Sequence, residues 1–112
     1  AAGDEVLKAL TGASALLLRK GDAIGRMGGE EFAIILPDTA MEGAAHLAER
    51  LRHAIEELAV AYDEKTIRFT ASIGVSQLVA GDHSFEAILS RADEGLYDAK
   101  RSGRNRVCER TV

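Results

Sequence analysis

Three helical stretches alternate with runs of strand-forming residues, and this alternation limits the chain to a narrow set of folds. "DTAMEGAAHLAERLRHAIEEL" (38–58) puts Ala44, Leu47, Ala48, Leu51, Ile55 and Leu58 on one helical face. Thr39 and Glu42 ahead of it have capping-box spacing. "TIRFTASIGVSQL" (66–78) changes period: Ile67, Phe69, Ala71, Ile73 and Val75 alternate with mostly polar residues, as in a strand with one buried face. "SFEAILSRADEGLYDAKRSG" (84–103) is helical again. Ser84 suits its cap, Ile88, Leu89, Ala92, Leu96 and Ala99 form its stripe, and Gly103 suits its end. "GDEVLKALTGASALLLRKGD" (3–22) predicts a first helix with Asp4 as cap, Val6, Leu10, Ala13 and Leu17 on one face, and Arg19 and Lys20 at its negative end. "AIGRM" and "EFAIILP" follow as strands, the second apolar enough to be buried on both faces. "YDEK" can turn a small hairpin, and "NRVCE" can return as an edge strand. Helices that separate strands imply an α/β chain with a mixed sheet.

The bulk numbers exclude several classes. A chain of 112 residues, 46% hydrophobic and 29% charged, can bury a core and is not a disordered segment. A net charge of -4 argues against nucleic-acid binding, but leaves room for a small phosphorylated ligand held by a few cations. The single cysteine, Cys108, permits no internal disulfide and fits a reducing compartment. No apolar run approaches the ~18 residues of a membrane span, and no signal-peptide pattern is present. The opening "AAGDEVL" has no Met, which suggests a piece of a longer polypeptide.

The chemistry concentrates in "RMGGEEF" (26–32). Gly28 and Gly29 allow a tight turn and a close approach to a ligand. Glu30 and Glu31 open the next strand and point to opposite faces. Carboxylates so placed can hold Mg²⁺ together with substrate phosphates. By local rules alone, the same pentad is a turn with two solvated glutamates. Phe32 then belongs to the core. Asp4, likewise, is by local rules a helix cap, Lys100 and Arg104 are cations at a helix end, and Arg19 and Asp22 are turn residues. The histidines His53 and His83 have no His/Cys partners at metal spacing.

The whole set of blocks goes further. "GDEVL" (3–7), "RKGD" (19–22), "GRMGGEEF" (25–32), "TASIGVS" (70–76) and "ADEGLYDAKRSGRN" (92–105) occur in that order, and the chain resembles the GGDEF family of diguanylate cyclases in its GGEEF spelling. The resemblance implies one GGDEF domain over 1–112 with its N-terminal portion absent. It implies an α/β (α+β), polymerase-palm or ferredoxin-like fold whose central mixed sheet is flanked by helices, its first strand and helix missing here. It implies condensation of two GTP into cyclic di-GMP and two pyrophosphates by a homodimer, with Mg²⁺ or Mn²⁺. Glu30 and Glu31 match the catalytic positions and Glu30 the metal ligand. Gly28, Gly29, Asp4, Lys100 and Arg104 match substrate-binding positions, with Asp4 reading the guanine edge and the two cations holding the triphosphate. Arg19 and Asp22 match an RxxD product-inhibition site for cyclic di-GMP, and Arg50 its partner arginine. His46 stands one turn before Arg50, where some relatives carry arginine.

Members of the family follow a sensor or receiver domain and work in the cytoplasm, in some cases within membrane-anchored proteins. No nucleic-acid or membrane contact is implied for this segment. In relatives the missing strand carries an aspartate that faces the Glu30 position. Without it, the neighbouring strands are expected to expose backbone and apolar groups, unless it lies elsewhere in the polypeptide or comes from a second chain. The alternative is a GGDEF-type domain without catalysis, acting as a cyclic di-GMP receptor or dimerisation module.

Overall fold

A computed structural model describes residues 2–28 and 31–111. The order is α1 (Ala2–Leu17), β1 (Ala23–Gly28), β2 (Glu31–Ile35), α2 (Met41–Glu56), β3 (Val60–Tyr62), β4 (Lys65–Ile67), β5 (Ile73–Val75), α3 (Phe85–Arg101) and β6 (Val107–Glu109). The α/β class and all three expected helices are present. Among the described residues the strands form three two-stranded ladders instead of one continuous sheet: β1–β2 and β3–β4 antiparallel, β5–β6 parallel. The expected long strand over 66–78 is divided into β4 and β5, because residues 68–72 take no ladder partner there.

The apolar stripes find each other. α1 lies against α2 and β3, while α2 and α3 both pack on the β5–β6 ladder. Ala48, Leu51 and Ile55 of α2, Val60, Val75 and Ala99 are the buried apolar side chains. Ile55 is 1% exposed, and burial of such a side chain contributes about 2–3 kcal/mol. Ser14 is fully buried on α1 and is satisfied within its own helix, its hydroxyl donating to the Leu10 carbonyl at 2.9 Å.

The closest approach in the fold joins β5 to α3. A Cβ on Gly74 would overlap backbone atoms of Ala92 and Leu96. A Cβ on Gly95 would lie 2.8 Å from the Cys108 carbonyl oxygen and 3.2 Å from the Gly74 Cα. The two glycines therefore allow strand and helix backbones to touch. Beside them a polar clamp fixes the 77–82 loop. Arg91 donates to both Asp82 oxygens at 2.7 and 2.6 Å and to the Gln77 carbonyl at 2.8 Å. The Asp82 side chain is only 4% exposed, and the Arg91 guanidinium, followed by the Val79 N–H, holds its carboxyl down at about 2.

Several local expectations give way to tertiary ones. Asp4 lies inside the first turn of α1 and does not cap it. Arg19 and Lys20 lie beyond the last turn of α1 instead of in it. Ala40, not Thr39, is the N-cap residue of α2, and it makes no side-chain cap bond. The Thr39 hydroxyl is committed elsewhere, donating to the Pro37 carbonyl at 2.9 Å and accepting from Arg19 Nη2 at 2.8 Å. The Met41 N–H is instead met by Gln77 Oε1 at 3.1 Å. β2 is not buried on both faces: its ends, Glu31 and Ile35, are exposed and its middle is partly buried. Other local signals hold. Ser84 accepts from the Ala87 N–H at 3.3 Å, and Asp63 and Glu64 turn the β3–β4 hairpin with φ of 48° and 63°.

Candidate functional site

The candidate site lies at the Gly28↔Glu31 end of the β1–β2 ladder and on the C-terminal end of α3. The ladder runs from Ala23↔Ile35 to Gly28↔Glu31, with an irregularity between Arg26 and Gly28. Gly28 has φ of 146°, a conformation that a side chain disfavours, so glycine here serves the backbone. Gly29 and Glu30 lie outside the described residues. Glu31 opens β2 with an exposed carboxylate, and Lys100 Nζ of α3 lies 3.7 Å from its Oε2. An expected catalytic carboxylate and an expected phosphate-holding cation are thus brought together from positions far apart in sequence.

Arg104 follows at the loop after α3. Its N–H donates to the Ala99 carbonyl at 2.9 Å, its side chain is exposed, and its φ is 62°. Asn105 is held from three sides: its N–H donates to Ser72 Oγ at 3.2 Å, its Oδ1 accepts from Arg52 Nη1 at 2.9 Å, and its Nδ2 donates to Glu56. Asp4 is exposed in the first turn of α1.

The second group of expected residues divides. Arg19 is exposed and borders an open hollow of about 510 Å³ whose rim also holds Thr39, Glu42 and His46. Asp22 behaves differently. Its side chain is 3% exposed, and its Oδ2 accepts from the Arg19 N–H at 2.8 Å, so it closes the turn that presents Arg19. Arg50 is exposed on α2 and does not line that hollow.

Oxygen donors for a hard divalent cation are present at the hairpin in Glu31. One or two carboxylates together with a nucleotide's phosphates suffice for such an ion, so the donor chemistry fits. Among the described residues the one trio with ligand atoms close enough for a metal, within 4.8 Å, is His53, Glu56 and Glu57 on and just after the last turn of α2. A search for His/Cys spacing misses it, because two of its donors are glutamates. Glu56 is already engaged by Arg52 and Asn105.

The family model described as "Diguanylate cyclase, GGDEF domain" matches residues 1–106. The chain belongs to the GGDEF family. Diguanylate cyclase A of Treponema denticola is 43% identical over 107 residues, covering 96% of this chain and 29% of that protein. The response regulator PleD of Caulobacter vibrioides is 45% identical over 107 residues, covering 94% of this chain and 24% of that protein. The active GGEEF domain of a diguanylate cyclase from Vibrio cholerae superposes with a TM-score of 0.86 at 42% identity, covering 96% of this chain and 68% of that one. The chain therefore spans less than a third of the length of these two curated relatives. No helix among the described residues is long and apolar enough to cross a bilayer.

Proposed function

We propose that this GGDEF domain is the catalytic part of a diguanylate cyclase, condensing two GTP into cyclic di-GMP and two pyrophosphates. The observation that carries the reading is the contact of Glu31 with Lys100 beside the Gly28 turn. It joins a carboxylate, a cation and a side-chain-free backbone at one place, which is what an anionic nucleotide and its metal need. The names of the relatives support it further.

In this reading, residues 1–112 belong to one domain. Gly28 and Gly29 leave room for the nucleotide, Asp4 accepts from guanine's ring and amino N–H groups, and Lys100 and Arg104 hold the triphosphate. Glu30, with Glu31 beside it, would hold Mg²⁺ or Mn²⁺ through its own carboxylate, and the ion supplies charge neutralisation on the phosphates when bound. The 3′-oxygen of one GTP forms a bond to the α-phosphorus of the other while the α–β phosphoanhydride bond breaks and pyrophosphate leaves. In this reading Glu31 accepts the hydroxyl proton. Two domains must meet for this, so the active species is a homodimer, brought together by an upstream sensor or receiver domain in the cytoplasm. Product feedback acts through Arg19 and Arg50, with Asp22 holding the turn under Arg19.

The test is to incubate the protein at full length with GTP and Mg²⁺ and separate the products. Cyclic di-GMP formed by the wild type and lost in Glu31→Gln supports the reading. Absence of product from folded protein overturns it, and binding of cyclic di-GMP by that inactive protein would identify a receptor.

A further inference from the structure

Arg104 and Asn105 are consecutive residues with side chains, and both hold positive φ, 62° and 46°. That conformation is disfavoured by the Cβ and persists only where the surroundings enforce it. The enforcement is asymmetric. On the side of Arg104 it consists of backbone contacts, the N–H to Ala99 and the carbonyl accepting from Arg106 Nε at 3.1 Å. On the side of Asn105 it comes from Ser72 Oγ, which accepts from the Asn105 N–H at 3.2 Å, and from another helix. Arg52 and Glu56 of α2 engage both ends of the Asn105 amide, one donating to its oxygen and the other accepting from its nitrogen.

Arg52 is itself fixed. Its side chain is 17% exposed, it donates to Glu49, and it lies 3.5 Å from Glu56. Its hydrogen bond to the Glu49 carboxylate raises its pKa above the ordinary value, so it stays charged. Glu56 is a poor candidate for a stabilising role alone. Its side chain is 39% exposed, and ion pairs so open to water add little to stability. Its distinctive property is where it reaches: across 49 residues of sequence to the amide next to Arg104.

We infer that Arg52 and Glu56 are positioning residues for nucleotide binding, acting through Asn105 to fix the direction of Arg104. The inference rests on the proposed role of Arg104 as a triphosphate ligand. A loop freed at Asn105 relaxes from its left-handed conformation, and the guanidinium then samples directions that miss the phosphates. The loss appears in substrate affinity and not in the chemical step.

The experiment uses the full-length protein, GTP and four variants, with KM, kcat and melting temperature measured for each. Glu56→Ala is expected to raise KM for GTP by about five- to tenfold with kcat within about twofold and the melting temperature little changed. Glu56→Gln, which keeps an acceptor for the Asn105 amide, restores KM to within about twofold of wild type. Arg104→Ala raises KM at least as much as Glu56→Ala. The double variant Glu56→Ala/Arg104→Ala shows no further rise over Arg104→Ala, because the path from Glu56 is already cut. An unchanged KM in Glu56→Ala, or an equal additional rise in the Arg104→Ala background, overturns the inference. An unchanged KM in Arg104→Ala overturns instead the proposed role of Arg104, and a wild type without turnover overturns the functional reading beneath both.

Discussion

The β1–β2 hairpin and the β5–α3–β6 unit each supply one side of the proposed site, and they are held in place by different means. The hairpin is stabilised mainly by its own ladder: Met27 and Ile35 are 53% and 48% exposed, and its contact with α3 includes an exposed ion pair. The α3 unit is fixed by backbone contact at Gly74 and Gly95 and by the clamps around Asp82 and Asn105. The difference teaches how the two sides acquire precision. On the hairpin, backbone geometry is local, and side chains such as Glu31 are exposed. On α3, the helix is placed by packing, and Lys100 and Arg104 inherit that placement.

The comparison can be broken first at the glycines. Gly95→Val puts a branched side chain into the Cys108 carbonyl and is expected to destabilise the protein by about 3 kcal/mol, enough to lower the urea midpoint markedly. An unchanged midpoint would mean that strand and helix do not touch there. On the hairpin the large effect falls on chemistry. Glu31→Gln should reduce cyclic di-GMP formation by about 100-fold or more. Loss of its exposed pair with Lys100 should cost no more than about 1 kcal/mol of stability. Equal damage to activity and stability would contradict the division drawn here.

How much of this was legible in the sequence depends on the range of the signal. The stripes of α2 and α3, the Ser84 cap and the Asp63–Glu64 turn are written within a few residues, and each appears where its local pattern puts it. The Thr39–Glu42 capping box fails because the helix begins one residue later, with Ala40 at the N-cap, and the Thr39 hydroxyl meets Arg19, twenty residues away. The Arg52–Glu56–Asn105 clamp and the contact of Gly74 with α3 join residues that no periodicity relates. The pentad at 28–32 marks the hairpin, but Lys100 beside Glu31 becomes visible only when α3 is placed. Asp22 reads by local rules as a turn residue and is one, but its side chain is covered, because its carboxylate turns inward to its own loop.

Acid sharpens the comparison on a smaller scale. The Asp82 carboxyl stands at about 2 in the folded chain against an ordinary 3.8. Its folded value lies below its unfolded one. Its contribution is therefore complete above the unfolded value and is lost as pH falls from about 4 to about 2. The melting temperature should fall over that window in wild type and less steeply in Asp82→Asn. An identical slope in both would remove the clamp from the account of stability. The smallest effect is expected from Ile35→Thr on the hairpin, a change within about 0.5 kcal/mol, since the side chain is half in water already. A loss of several times that size would reveal a burial of Ile35 that the described residues do not provide.

The parallel pairing of β5 with β6 has a consequence in time. Its two strands are separated in sequence by the 77–82 loop and all of α3, so Ile73 cannot donate to Arg106, nor Arg110 to Val75, until that whole segment is ordered. Local ladders such as β3–β4 can close in microseconds from neighbouring residues. The β5–β6 ladder therefore closes late. Its amides at Ile73 and Arg110 should gain protection from deuterated solvent later in refolding than those of the β3–β4 hairpin.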